Sequence, residues 1–186
     1  MGKVIRFFNY DAALEYYEEA IIHMRRWTRG HGRVKTIAKP VLILSIIKGM
    51  KDGEFTNNRF DYHDLKNIYE PIFRSFFLKG RQDSATQLYN PYYYSQTDGF
   101  WHLSWKDGSR STLAPSENWL ERNVNYGFID EELWILINNE EYAERLKGYV
   151  IRNLIIQTFE ENGNDMAAED NSGINVKSLL TLLLAI

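Results

Sequence analysis

The sequence predicts a mainly α-helical domain with a small β-hairpin or sheet, an α+β chain of one body. Three observations carry this. Leu14, Tyr17, Ile21 and Met24 recur at the three-to-four spacing of one buried helical stripe. Residues 41–47 are apolar nearly all round, as in a central helix. The strongest short hairpin signal, Asp98-Gly99, is flanked by aromatic residues. With 186 residues, 44% apolar and 15% aromatic, the chain can bury a real core, which excludes collagen-like, mucin-like and wholly disordered classes.

In chain order, the first helix is predicted over Asp11 to Trp27, acidic in its first turns and basic in its last, as the helix dipole prefers. Thr28 to Arg33, with Gly30 and Gly32 around His31, reads as a loop. The second helix begins at Lys39-Pro40, because proline fits the first helical position, where its missing N–H would be unpaired anyway. Asp52-Gly53 ends it. A third helix spans about Tyr62 to Leu78, and Pro71 in its middle predicts a kink or an interruption. Tyr92 to Trp105 is predicted as the hairpin. Asp130-Glu-Glu-Leu-Trp starts a capped helix, and Asn138 with Glu141 forms a capping box for a last helix through Phe159. The domain is thus expected over 1–159. Residues 160–186 read as an acidic linker with a short apolar end, Leu179 to Ile186.

The absence of cysteine excludes a disulfide framework, a thiol nucleophile and Cys-ligated metal clusters, and fits an intracellular, cytoplasmic chain. No apolar run approaches the roughly 20 residues that span a bilayer, so no membrane partner is expected. Net charge is −3, but five acids and one lysine lie in 160–186, leaving the body near neutral. Within that body, Arg25, Arg26, Arg29, Arg33, Lys35 and Lys39 occur with no acid among them, a local basic patch.

Catalytic and cofactor motifs are missing: no phosphate-cradling glycine loop, dinucleotide fingerprint, zinc-protease helix or nucleophile elbow. The four histidines stand singly, without metal-ligand spacing. Asp64-Leu-Lys66 has the letters of a nuclease core but falls on a predicted helix. A binding module with no catalytic residue, metal or cofactor is therefore expected. Its basic loop, with Arg29, His31, Arg33 and Lys35, meets a helix start at Lys39 and can grip phosphate. Asn90-Pro-Tyr-Tyr-Tyr can either stack on a ligand or be a plain core strand.

The run from Lys39-Pro-Val-Leu-Ile-Leu through Asp52-Gly-Glu-Phe, followed by Asn90-Pro-Tyr-Tyr-Tyr-Ser-Gln-Thr-Asp-Gly-Phe-Trp-His-Leu, resembles the sulfur-binding domain of bacterial phosphorothioate-dependent restriction endonucleases. The resemblance extends over about residues 10–160, and the HNH nuclease usual in that family is absent from this sequence. It implies recognition of double-stranded DNA in which sulfur replaces a non-bridging phosphate oxygen. Sulfur is larger, more polarisable and a poorer hydrogen-bond acceptor, so an apolar pocket favours it, while flanking cations hold the phosphate charge.

Carried over by position, Lys39 would contact the phosphate, and Pro91 would pack on sulfur. Pro40, Asn90, Tyr92, Tyr93 and Tyr94 would build the rest of the pocket, and Lys106 and Arg110 lie where the family reads bases. Ala38, Asn90 and Tyr94 depart from the histidine, aromatic and small residue common at those places, which implies an altered sulfur preference. The expected partner is phosphorothioated duplex DNA. Two other readings stay open: the specificity subunit of a split nuclease, with a separate nuclease chain on the apolar end, or a degenerate protein-interaction domain. Either leaves room for a homodimer.

Overall fold

A computed structural model describes residues 9–29, 34–79, 86–107 and 116–166. It is mainly helical with two small antiparallel ladders, in agreement with the predicted class. α1, Tyr10–Ile22, starts where the Asn9 side chain accepts from Ala12 N at 2.8 Å and buries Ala13, Leu14, Tyr17 and Ile21. It ends five residues short of the predicted Trp27. Tertiary partners take over from the helix ladder here: Asp98 Oδ1 accepts from Arg25 N at 3.2 Å, and Arg26 donates to Leu154 O and Thr158 Oγ1. The next residues are not all loop. β1, Thr28–Arg29, pairs with β2, Val34–Lys35, in the register Thr28↔Lys35. Residues 30–33 between them lie outside the described residues.

α2, Ala38–Lys51, begins one residue before the predicted start, with Pro40 in its first turn. Residues 38–47 are buried without a break, so it is the central helix that its composition predicts. α3, Tyr62–Lys79, packs on it through Leu65, Tyr69, Ile72, Phe73 and Phe76. Pro71 does not interrupt α3, because the buried stripe on both sides of it outweighs one lost backbone bond.

The predicted hairpin is replaced by something else. α4, Tyr89–Tyr94, continues as a 3₁₀ turn, Ser95–Asp98, which Gly99 ends at φ +87°. Asp-Gly serves a helix stop as readily as a hairpin turn, since both need a left-handed residue. Pro91 sits in the first turn of α4, where it costs no internal bond. Only the second half of the predicted hairpin is a strand: β3, Trp101–Trp105, pairs with β4, Val124–Ile129, in the register Trp101↔Ile129. Phe60 also pairs with Gly127, donating to its carbonyl and accepting from its N–H.

α5, Glu117–Asn123, is capped by Ser116, and α6, Glu131–Asn138, follows β4. α7, Glu140–Val150, is capped by Asn139, which accepts from Glu141 N and Tyr142 N; the predicted cap, Asn138, donates instead to Trp134 O. α7 passes into a π turn, Ile151–Ile156, and then α8, Gln157–Met166. The helix thus runs seven residues into the predicted linker; residues 167–186, with the apolar end, lie outside the described residues. α2 forms the hub of one core, with α3, α4, α7 and the Trp101 side of the β3–β4 ladder around it.

Candidate nucleic-acid interface

Two segments some fifty residues apart in sequence meet at the start of α2. Lys39 Nζ donates to Tyr94 O at 3.3 Å and to Asp98 Oδ2 at 2.6 Å. The pair is buried, with side chains 9% and 1% exposed. The other Asp98 oxygen holds Arg25 N. One carboxylate thus ties the segment after α1, the start of α2 and the end of α4 together. Pro40 is buried in the same turn of α2.

This geometry changes the reading of Lys39. Its ammonium faces Asp98 and a backbone carbonyl rather than solvent, because a buried lysine needs a counter-charge that Asp98 supplies. Tyr92, expected in the pocket wall, belongs wholly to the core. Its hydroxyl donates to Phe60 O at 2.8 Å, and its ring meets Trp101 and Tyr62 edge-on. Burial pushes its phenol far above the ordinary tyrosine range.

The remaining pocket candidates lie at the surface of α4 or just beneath it. Asn90, Tyr93 and Tyr94 are three and four apart and so share a helix face. Asn90 and Tyr93 are half-buried and Tyr94 is 45% exposed, while Pro91 is buried under the same helix. Tyr93 is ringed by Tyr94, Trp119 and Trp105 at centroid distances of 5.1, 5.7 and 6.4 Å, all edge-on. An aromatic group therefore extends from α4 across β3 to α5.

The basic candidates divide. Lys35 is half-exposed and paired with Glu161 of α8 at 3.2 Å. Lys106 is exposed and donates to Glu121 O. Arg29 contributes its backbone to β1; its side chain, with His31, Arg33 and Arg110, lies outside the described residues.

Two clusters have no counterpart in the sequence motifs. His102 Nε2 lies 2.6 Å from Asp130 Oδ1, and Tyr17 OH donates toward Asp130 and Glu132 at 3.2 and 3.3 Å, a buried network joining α1, β3 and α6. Asp130 therefore serves this network and makes no cap bond to α6. On the surface, His63 with Glu117 and Glu121 places three metal-type ligand atoms within 4.8 Å of one another. His63 already pairs with Glu121 at 2.8 Å and Lys66 with Glu117, which holds the lysine above its ordinary pKa. Neither cluster was visible from spacing, because each draws on elements far apart in sequence.

No helix among the described residues is long and apolar enough to cross a membrane. In comparison with known proteins, no family model matches the chain, and neither does any curated protein.

Proposed function

We propose that this chain binds phosphorothioate-modified double-stranded DNA as a recognition module, with its sulfur contact on α4. The observation that carries the reading is the meeting of the two motif segments at the start of α2, through Lys39, Tyr94 and Asp98. In this reading Pro91 is the floor of the contact, and Asn90, Tyr93 and Tyr94 are its rim. An apolar, aromatic lining accepts a polarisable sulfur, whereas a phosphate oxygen there would lose water without compensation. Phosphate charge is met by the basic hairpin that leads directly into α2 and by Lys106 beside the aromatic group. Lys39 contributes by holding α4 against α2.

Fluorescence anisotropy with matched short duplexes, one carrying a stereodefined phosphorothioate and one unmodified, tests this at two salt concentrations. A sulfur-dependent gain in affinity is expected, and Pro91→Ala and Tyr94→Ala should each shrink that gain more than they lower affinity for plain duplex. Equal affinity for the two duplexes overturns the reading.

A further inference from the structure

Turning Lys39 inward leaves the start of α2 without the cation that motif position implies. The structure offers another one beside it. Met24 to Trp27 leaves α1 with burial that alternates like a strand: Met24 buried, Arg25 exposed, Arg26 half-buried, Trp27 65% exposed. Arg26 on the inner side is fixed to Leu154 O and Thr158 Oγ1. Arg25 on the outer side has its backbone N–H held by Asp98, the carboxylate that also neutralises Lys39. Its guanidinium has no hydrogen-bond or ion-pair partner among the described residues.

The lysines at this end of the fold differ from it. Lys35 is paired with Glu161 and Lys39 with Asp98. A cation already paired must give up that partner to take a phosphate, whereas Arg25 has no such partner to give up among the described residues. Its backbone is also immobilised from two sides, by the Asp98 bond at its own N–H and by the Arg26 anchor next to it. A fixed backbone carrying a planar five-donor head suits a phosphodiester.

The geometry points to Arg25 as a phosphate-contacting residue of the DNA interface, with Asp98 as the residue that positions it. This rests on the duplex-binding reading above and assigns it a contact that no motif position carries. Asp98 then has two tasks. It withdraws the charge of Lys39 from the surface, and it sets the place from which Arg25 reaches the backbone.

The test compares the full chain with Arg25→Ala and Arg25→Lys on plain and modified duplexes. One lost phosphate contact reduces the salt slope by about 0.9. Arg25→Ala should therefore weaken binding about tenfold at 50 mM salt and about threefold at 200 mM, equally for both duplexes, with an unchanged circular dichroism melt. Arg25→Lys should recover most of the loss. An Arg25→Ala chain with wild-type affinity and slope overturns the assignment while leaving duplex binding standing. A loss of equal size at both salt concentrations overturns it too, since the contact would not be ionic. Failure of the wild-type chain to bind any duplex removes both readings together.

Discussion

Replacing Lys39 with methionine separates a structural lysine from a phosphate-facing one. Methionine keeps most of the aliphatic stem and its packing but deletes the ammonium. Asp98, with a side chain 1% exposed, is left among the described residues with the backbone bond from Arg25 at 3.2 Å. Breaking a buried pair on one side costs about 3–5 kcal/mol, because the surviving charge has lost water and counter-charge together. For a chain of this size, each kcal/mol moves the melting temperature by about 2–4 °C, so a fall of the order of 10 °C is expected. Urea unfolding of wild type, Lys39→Met and Lys39→Met/Asp98→Leu measures it. The double variant, with no charge left buried, should recover much of the loss. A solvent-facing lysine would cost within about 0.5 kcal/mol when replaced. If Lys39→Met unfolds within about 1 kcal/mol of wild type, the buried-pair account is wrong, and Lys39 returns to the list of phosphate contacts.

Gly127→Ala should destabilise by about 3 kcal/mol, at the upper end for overpacking, because the new Cβ would lie 2.2 Å from Trp101 Cζ2. Trp101 cannot yield easily, being stacked on Phe60 and edged by Tyr92, and a thermal melt that rises, as strand propensity alone would suggest, refutes this. Glu144 is bonded by Lys51 and Lys147, which hold its carboxyl below the usual glutamate range. Its contribution to stability is therefore present above the ordinary glutamate pKa and is lost as pH falls through the lowered one. Carboxyl NMR titration should show that low midpoint, and Lys51→Ala should move it upward; an unmoved midpoint would sink the assignment.

What could be read from the sequence divides along the range of the interactions involved. α2 and α3 were legible from local signals, the unbroken apolar run 41–47 for the first and the three-to-four spacing of Leu65, Tyr69, Ile72 and Phe76 for the second. The end of α1 was not legible, since Arg25 and Arg26 are drawn off the helix by Asp98 and Leu154, 73 and 128 residues away. β4 went unread for the same reason, its partner β3 being distant and Gly127 a poor strand former in its middle. In the site, sequence marked Lys39 and the Asn90–Tyr94 segment, and these do lie together. It gave no sign that Lys39 turns inward. That depends on Asp98, whose neighbour Gly99 gives it the look of a hairpin turn in sequence but which serves in the fold as the counter-charge of Lys39. Arg25 was one basic residue among six, and only its exposed place beside Asp98 distinguishes it.

The π turn at Ile151–Ile156 acts as an indexing step in a long rod. A π turn amounts to one residue inserted into a regular helix, and each residue of an α-helix advances its neighbours by about 100° around the axis. Everything on α8 is therefore dialled by that amount relative to a helix without the insertion. The setting it produces aims Phe159 at Phe76 in the core, Thr158 at Arg26, and Glu161 at Lys35 on the basic hairpin. The hairpin and the outgoing helix thereby share one setting, in which Glu161 stands against Lys35 and Thr158 against Arg26.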